Sequence, residues 1–160
     1  MYPISDKNLN KEDNKTVYFF TPPYHPLDNF SAHSILLWGF NFPTAEHAFQ
    51  WKKFSNNRKD ISGVILNAKS PHLVKEISDA NKSEQPSDWH EKKILVMEEI
   101  LRAKAKQHKD VRGVLKKTGK RKIIENSPVD NFWGIGPDGN GQNMVGKIWM
   151  KIRDELNLSK

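Results

Sequence analysis

The sequence predicts a mainly α-helical domain of the α+β class, with several helices and a few short β-strands. Two observations support this class. Apolar residues recur at a spacing of three and four in several segments, most regularly between Val145 and Leu156. The runs rich in β-branched and aromatic residues, such as Thr16–Phe20, are too short for helices and are typical of strands. A length of 160 residues fits one compact domain with one core.

The first part of the chain predicts a tail, a strand and a hairpin. Residues 1–15 are polar and aperiodic, which predicts a flexible N-terminal tail and a single domain over residues 16–160. Residues 21–34 contain three prolines and several turn-forming residues, so we expect a loop there. The apolar runs 35–38 and 40–42, separated by Gly39, predict a short strand or hairpin.

The segment from Pro43 to Phe54 predicts the helix around which the rest of the chain is organised. Thr44 suits the N-cap position of this helix. A capping box would place an acid three residues later, but His47 stands there. The neighbouring Glu46 is therefore not explained as a capping partner.

Glu46, Gln50 and Lys53 form one polar strip on this helix at 100° per residue, with Phe49 at its edge. The rest of the helix surface is mostly apolar, which is typical of a buried helix. Buried charged groups need partners or a wet cavity, so the strip is a candidate site. A surface contact between Glu46 and Lys53, or between Glu46 and the helix dipole, is the alternative from the helix pattern alone.

Six further elements complete the prediction. The long helix has a predicted buried stripe of His90, Ile94, Met97, Leu101 and Ala105. The polar segment 81–86 is expected to be a linker, and 127–142 a long ordered loop. The elements are a helix at 58–67, a helix from Pro71 to about Ser78 capped by Ser70, the long helix from Asp88 to about His108 capped by Ser87, a helix at 110–117, and a strand at 122–125. A last helix, capped by Asn143, carries a stripe of Val145, Ile148, Trp149, Ile152 and Leu156.

Composition narrows the function. The chain has no cysteine, which excludes disulfides, cysteine-ligated zinc and a cysteine nucleophile. We find no membrane-spanning run and no signal-peptide pattern, so a cytoplasmic protein without a membrane partner is expected. The six histidines are scattered, which predicts no metal site, and we expect no cofactor. The formal charge of +7 favours anionic partners, although the densest basic run, 116–122, is more typical of a solvated turn.

The segment 130–143 is rich in glycine, asparagine and aspartate. It contains a literal G-x-G-x-x-G at Gly134, Gly136 and Gly139, but no βαβ unit surrounds it, so we reject a dinucleotide fingerprint. Its glycines allow close approach of a ligand, and the following helix start offers amides to a phosphate, whereas a tight structural loop is an equal alternative. Trp89 and Trp133 are candidates for stacking on a base, with ordinary packing as the alternative.

Taken together, these segments resemble the NADAR family, also called YbiA-like, from about Tyr18 to Leu156. The motifs combine a Pro-Thr-x-Glu-His run with a later Trp-Gly-x-Gly run. The matching residues are Asp28-Asn29-Phe30, Pro43 to Gln50, Lys53-Phe54, Trp89, Leu101 to Lys104, Asp130 to Gly134, Gly136, Gly139, Gly141, Asn143, Gly146, and Met150 to Arg153 with Leu156.

The resemblance implies a compact, mostly helical fold and an N-glycosidase that breaks a bond between ribose C1′ and a nitrogen. Some members resemble hydrolases of phosphoribosylamino-pyrimidine intermediates of riboflavin synthesis, and others resemble enzymes that remove ADP-ribose from guanine, including guanine in DNA. The implied partners are a phosphoribosyl or ADP-ribosyl compound, ADP-ribosylated DNA and an ADP-ribosyltransferase toxin. The alternatives are a non-catalytic module that binds ADP-ribose or a nucleotide, and a basic nucleic-acid-binding protein.

The resemblance also implies the site residues. Glu46 is assigned to stabilise charge at C1′ or to activate water, and Asp130 to hold ribose hydroxyls or assist the leaving group. Lys53 is assigned as a charge partner of phosphate, with an imine-forming amine as the remoter option. The implied substrate-binding positions are Trp89, Trp133, Lys53, Asn143, Gly134, Gly136, Asn29 and Phe30.

Overall fold

The computed structural model describes residues 8–20 and 22–158, which form six α-helices and five short β-strands. The fold is mainly helical α+β, as the sequence predicted. In chain order the elements are β1 (Lys11–Glu12), β2 (Thr16–Phe19), β3 (Ile35–Leu37), β4 (Phe40–Phe42), α1 (Ala45–Phe54), α2 (Lys59–Leu66), α3 (Pro71–Ala80), α4 (Trp89–Gln107), α5 (Lys109–Thr118), β5 (Lys122–Glu125) and α6 (Met144–Glu155).

The chain divides into two compact units. We call residues 29–107 the central unit, and the segments up to residue 28 and from residue 108 onward, taken together, the terminal unit. None of the helices in the described ranges combines the length and the apolar character needed to cross a membrane.

In the central unit, α1 packs against α2, α3 and α4, so the helix is buried on most sides. Phe54 at its end joins Ile61 and Ile65 of α2 and Val74 of α3 in one apolar cluster. The β3–β4 hairpin leads into α1 and closes through a turn at residues 38–39, both of which have positive φ. Such turns match the twist of the two strands, and the predicted hairpin is confirmed.

The N-terminus of α1 is closed by Thr44 and His47. The Thr44 hydroxyl oxygen accepts from the backbone N–H of His47 at 3.2 Å and lies 2.8 Å from Nδ1 of the same residue. Because Nε2 of His47 donates to the carbonyl of Ala68 at 2.9 Å, Nδ1 is left to accept from the Thr44 hydroxyl. Burial lowers the pKa of His47, which keeps the ring neutral. His47 therefore acts as a structural partner of the cap.

The terminal unit has a three-stranded sheet in the order β1-β2-β5, with β1 antiparallel and β5 parallel to β2. Helix α6 packs on β5, and its Trp149 is completely buried and donates from Nε1 to the carbonyl of Leu27 at 2.8 Å. The predicted stripe of α6 is confirmed at Val145, Ile148, Trp149 and Ile152, all of which are buried.

Part of the predicted tail is a strand. Lys11 and Glu12 pair with Tyr18 and Val17. The reason is a turn at Asp13, whose carboxylate accepts from the backbone N–H groups of residues 15 and 16 at 2.7 and 2.8 Å. The prediction for residues 1–7 lies outside the described residues, and the single domain over 16–160 stays a prediction.

The predicted stripe of the long helix was wrong at His90, which is exposed. The buried face of α4 begins instead at Trp89, the first residue of the helix, and continues through Val96, Met97, Ile100, Leu101, Lys104 and Ala105. The predicted linker also contains a short 3-10 helix at Lys82–Glu84.

Candidate active site

The polar strip predicted on α1 is present in the central unit and is buried. Glu46 exposes 6% of its surface and Gln50 exposes 5%. Nε2 of Gln50 donates to Oε1 of Glu46 at 2.7 Å. Oε1 of Gln50 accepts from the hydroxyl of Ser78 on α3 at 2.7 Å, and this hydroxyl oxygen accepts from Nζ of Lys53 at 3.0 Å. We call these four residues the strip network.

Local sequence explains three members of the strip network. Residues 46, 50 and 53 are spaced by four and three, so the turns of α1 bring their side chains onto one face. The fourth member, Ser78, comes from α3, where only 2% of its surface is exposed. The network therefore depends on the packing of α3 against α1.

Glu46 is a carboxyl group held in an unfavourable environment for its charge. Burial is the main cause that raises the pKa of Glu46. The hydrogen bond from Gln50 and the positive charges of Lys75 and Lys53 oppose this rise. Perturbed carboxyl groups of this kind are concentrated at functional sites, because elsewhere their burial only costs stability.

Lys53 lies among aromatic rings at the other end of the strip network. Its Nζ is 6.0 Å from the ring centre of Phe49, 5.8 Å from that of Phe54 and 5.9 Å from that of Trp89. Burial lowers the pKa of Lys53 to about 8, although the charge of Glu46 acts in the opposite direction. The faces of these aromatic rings attract Lys53 in its protonated, ammonium form.

Trp89 belongs to the same part of the central unit. It is 5% exposed, and its ring centre lies 5.1 Å from that of Phe49 at an angle of 56°. The structure thus brings together three of the predicted site residues, Glu46, Lys53 and Trp89. Because Trp89 already packs on Phe49, its stacking on a base stays a prediction.

Asn29 and Phe30 also lie in the central unit. The carbonyl of Asn29 accepts from the backbone N–H of Glu46 at 3.1 Å, and its Nδ2 donates to Sδ of Met97 at 3.6 Å. Its Oδ1 is buried without a hydrogen-bond partner among the described residues, and such an acceptor is one that a ligand can satisfy. Phe30 makes an edge contact with His72 at 4.9 Å.

Asp130 lies in the terminal unit, where it closes a turn. Its Oδ1 accepts from the backbone N–H groups of Phe132 and Trp133 at 2.9 and 2.8 Å, and its own N–H donates to the hydroxyl of Ser127 at 3.0 Å. Trp133 meets the ring of Phe132 edge-on at 4.8 Å. These contacts explain Asp130 as a loop-forming residue, and the predicted roles of Asp130 and Trp133 toward substrate stay predictions.

The glycines of this loop are required by its close packing. A Cβ on Gly134 would lie 2.8 Å from the carbonyl oxygen of Glu125 and from Cβ of Ser127. Gly136 has a φ of +69°, and a Cβ there would lie 2.8 Å from Cβ of Asn131. The tight structural loop, one of the two alternatives from the sequence, explains both glycines without a ligand.

Asn143 lies at the predicted N-cap position of α6, but its side chain bonds elsewhere. Asn143 directly precedes α6, but its side chain makes no cap bond, and its φ of 50° is left-handed. Its Oδ1 accepts from the backbone N–H of Glu125, and its Nδ2 donates to the carbonyl of Ile123, both at 2.9 Å. The amide is used to join the start of α6 to β5, and its binding of substrate stays a prediction.

His47, next to Glu46, is the histidine of α1. Both ring nitrogens of His47 are engaged in hydrogen bonds. In the ranges 8–20 and 22–158, no three His, Asp or Glu side chains group as a metal site would require.

Comparison with known proteins identifies the family. A family model for the NADAR domain matches residues 10–157, which is nearly the whole chain. The chain belongs to the NADAR domain family.

Relatives of this NADAR domain agree with the assignment. N-glycosidase Npun_R5314 of Nostoc punctiforme is 35% identical over 144 residues, covering 88% of this chain and 92% of that protein. N-glycosidase YbiA of Escherichia coli is 32% identical over 143 residues, covering 89% and 88% of the two chains. The NMR structure of E. coli YbiA matches with a TM-score of 0.80 and 29% identity over 94% of this chain and 89% of that one.

A third relative is a longer protein, of which only a part matches this chain. Riboflavin biosynthesis protein VVA0006 of Vibrio vulnificus is 34% identical over 142 residues, which are 88% of this chain and 38% of that protein. The names of these relatives support an N-glycosidase function at the level of the family.

Sequence reasoning missed Ser78, the member of the strip network outside α1. A signal existed, because Ser78 lies four residues after the apolar Val74 on the predicted third helix, which places both on one face. A serine on the buried face of a NADAR domain helix requires a hydrogen-bond partner, and the polar strip of α1 was the nearest candidate.

The loop role of Asp130 leads to a testable prediction. Replacing Asp130 with Ala removes the acceptor of two backbone N–H groups, so we expect a loss of about 1–3 kcal/mol in the free energy of unfolding. Replacing it with Asn keeps an oxygen at Oδ1, so we expect a change below about 0.5 kcal/mol. Urea unfolding of both variants measures the difference. Equal stability of Asp130→Ala and the parent would contradict the loop role, and an inactive but stable Asp130→Asn would reveal a second role for the carboxylate.

Proposed function

We propose that this protein is an N-glycosidase that hydrolyses the bond between ribose C1′ and a base nitrogen, with Glu46 as the carboxylate that acts at C1′. The observation that carries the proposal is the buried carboxyl group of Glu46, held in the first turn of α1 by a 2.7 Å hydrogen bond from Gln50. Membership of the NADAR domain family and the names of the relatives support it.

The chemistry of the reaction requires a group with these properties. When the bond from C1′ to nitrogen breaks, its electron pair moves to the nitrogen and positive charge develops on the sugar ring. A carboxylate beside C1′ stabilises this charge and takes a proton from the water whose oxygen forms the new bond to C1′. The leaving nitrogen gains a proton, so the net reaction consumes one water. No described residue donates a hydrogen bond to Oε2 of Glu46, while Oε1 is held by Gln50.

Glu46 also favours an enzyme over a binding module. A module that only binds ADP-ribose or a nucleotide needs donors and cations for the phosphates. A buried carboxylate repels these phosphates and costs stability, and burial raises the pKa of Glu46. The enzyme has a use for this group, whereas the binding module has none.

Two classes of substrate contain the required bond and carry phosphate. The name of the V. vulnificus relative favours phosphoribosylamino-pyrimidine intermediates of riboflavin synthesis. The resemblance described above also includes removal of ADP-ribose from guanine, in nucleotides or in DNA, and a toxin partner belongs to this class alone. The formal charge of +7 suits both classes, because both substrates are anionic.

A paired turnover assay tests the proposal. One reaction contains ADP-ribosylated guanine in a short DNA, the other 5-amino-6-(5-phosphoribosylamino)uracil, and mass spectrometry measures the released base and sugar. We expect turnover of at least one substrate by the parent and by Glu76→Gln, an exposed control on α3. Turnover of neither, with tight binding of ADP-ribose, would favour the binding module. Tight binding of unmodified DNA that falls steeply with salt would instead favour a nucleic-acid-binding protein.

Lys53 gives the reaction an expected pH dependence. We assign Lys53 as a cation that attracts the phosphate of the substrate, and its pKa is lowered to about 8. The charge is present below this pH and lost above it, so kcat/KM should fall as the pH rises through about 8. The Lys53→Arg variant keeps its positive charge throughout this range. It should therefore stay active and show no fall of kcat/KM near pH 8. A rate that rises through pH 8, with an inactive Lys53→Arg, would favour the imine-forming amine.

A further inference from the structure

The three hydrogen bonds of the strip network all run in one direction. In each of them the donor is on the side of Lys53 and the acceptor is on the side of Glu46. The ammonium of Lys53 has only donors, so the Ser78 hydroxyl oxygen is the acceptor of their 3.0 Å bond. The single proton of Ser78 therefore goes to Oε1 of Gln50 at 2.7 Å. This contact turns the NH₂ group of Gln50 toward Oε1 of Glu46, also at 2.7 Å. The orientation of the Gln50 amide is thus fixed by Ser78 and Lys53.

We propose that Ser78 and Gln50 are positioning residues that transmit the charge state of Lys53 to Glu46 and hold the Glu46 carboxylate in place. This inference rests on the proposed function, because Glu46 is the group that acts on the substrate there.

The burial of the strip network makes its hydrogen bonds sensitive to one another. Glu46, Gln50 and Ser78 are all shielded from water, and hydrogen bonds in such surroundings polarise their neighbours. When Lys53 loses its proton, its nitrogen gains a lone pair and becomes able to accept from Ser78. Ser78 then no longer has to donate to Gln50, and the amide of Gln50 is free to rotate away from Glu46. The carboxylate loses its fixed donor as a result.

Direct electrostatic attraction between Lys53 and Glu46 is the competing explanation for any coupling. Three other charged groups act on one or both members of this pair, Lys75 and Asp79 on α3 and Lys82 in the 3-10 helix. Lys75 and Asp79 also form an ion pair at 2.7 Å. A substitution at Ser78 leaves all these charges in place and removes only the hydrogen-bonded path.

The test is a carbon-13 NMR titration of the Glu46 carboxyl group in protein labelled at glutamate, with Glu46→Gln used to assign the signal. The parent should show a second inflection near pH 8, where Lys53 titrates. In Ser78→Ala we expect this inflection to lose at least half of its amplitude. Ser62→Ala is the matched control, since Ser62 is also buried but donates to a backbone carbonyl on α2, and it should behave as the parent does. An inflection of full amplitude in Ser78→Ala would overturn the proposal in favour of direct attraction.

Kinetics supply a second measurement. Ser78→Ala should lower kcat about tenfold and change KM less than twofold, because the substrate still binds while the carboxylate is poorly held. If Glu46→Gln is inactive but Ser78→Ala keeps the kcat of the parent in the same assay, the positioning role is also overturned.

The proposed function and the positioning role fail in different ways. If Glu46→Gln remains fully active while Ser78→Ala loses the inflection, the glycosidase role of Glu46 is wrong and the coupling stands.

Discussion

Replacing Glu46 with Gln should lower kcat of the glycosidase reaction by roughly 10²–10⁴-fold, the usual contribution of an acid–base group. The amide has nearly the same size as the carboxyl and still offers an oxygen to Nε2 of Gln50, whose bond to Glu46 is 2.7 Å long. The amide carries no negative charge that would stabilise the positive charge on the sugar ring, and it takes no proton from water. Turnover under saturating substrate measures the effect, with Glu76→Gln as control, and a rate within a few-fold of the parent would remove Glu46 from the mechanism.

The same substitution should not destabilise the fold at neutral pH. Burial raises the pKa of Glu46 above its usual value of 4.5, so the native state holds this proton more tightly than the unfolded state does. As the pH rises above 4.5, the unfolded state ionises first, and the parent loses stability until the native pKa is passed. Glu46→Gln avoids this loss. We therefore expect it to be at least as stable as the parent near pH 7, with no such advantage below pH 4.5.

Urea unfolding at these two pH values measures the stability difference. A Glu46→Gln protein that is clearly less stable than the parent near pH 7 would show that the charged carboxylate stabilises the native state. Loss of activity in such a variant would then have a structural explanation. Loss of activity in a variant of equal or greater stability leaves the chemical role of Glu46 as its explanation.

How much of the candidate site was predictable depended on whether its contacts are local. Glu46, Gln50 and Lys53 were placed on one strip because helical geometry depends only on spacing along the chain. The contact of Gln50 with Ser78 joins positions 28 residues apart, so it needed the packing of α3 on α1. The same limit applied at His90, which fitted the periodicity of a stripe whose members Met97, Leu101 and Ala105 are buried but which is itself exposed.

The loop after β5 shows the limit of rules about residue type. Asparagine before a helix is usually an N-cap, but Asn143 bonds the backbone of β5, 18 and 20 residues earlier in the chain. Glycine signals flexibility or close approach without naming the neighbour. Only the folded loop shows that the space for a Cβ at Gly134 is taken by Glu125 and Ser127. The family motif includes these residues but does not separate structural roles from roles toward substrate.

Gly146 of α6 leads to the prediction with the largest expected effect on stability. A Cβ there would collide with the carbonyl oxygen of Ile123 in β5 and with the side-chain amide of Asn143. Backbone cannot yield as a flexible side chain does, and overpacking alone typically costs about 1–3 kcal/mol. Displacing Asn143 also endangers its two hydrogen bonds to β5, each worth about 1 kcal/mol. Gly146→Ala should therefore lose about 3 kcal/mol or more, which is a large share of the roughly 5–15 kcal/mol that stabilises a typical protein.

The matched control is Gly113→Ala on α5, where the added Cβ has no atom within 4 Å apart from its chain neighbours and the adjacent backbone of its own helix. Alanine is the better helix former there, so we expect a gain of about 0.5–1 kcal/mol. The two variants make the same chemical change inside two helices of the terminal unit, and urea unfolding should show shifts of opposite sign. Because helix propensity alone predicts a gain at both positions, the difference between them measures how tightly α6 is pressed against β5. A gain at Gly146 as well would show that β5 and α6 separate easily enough to admit a methyl group.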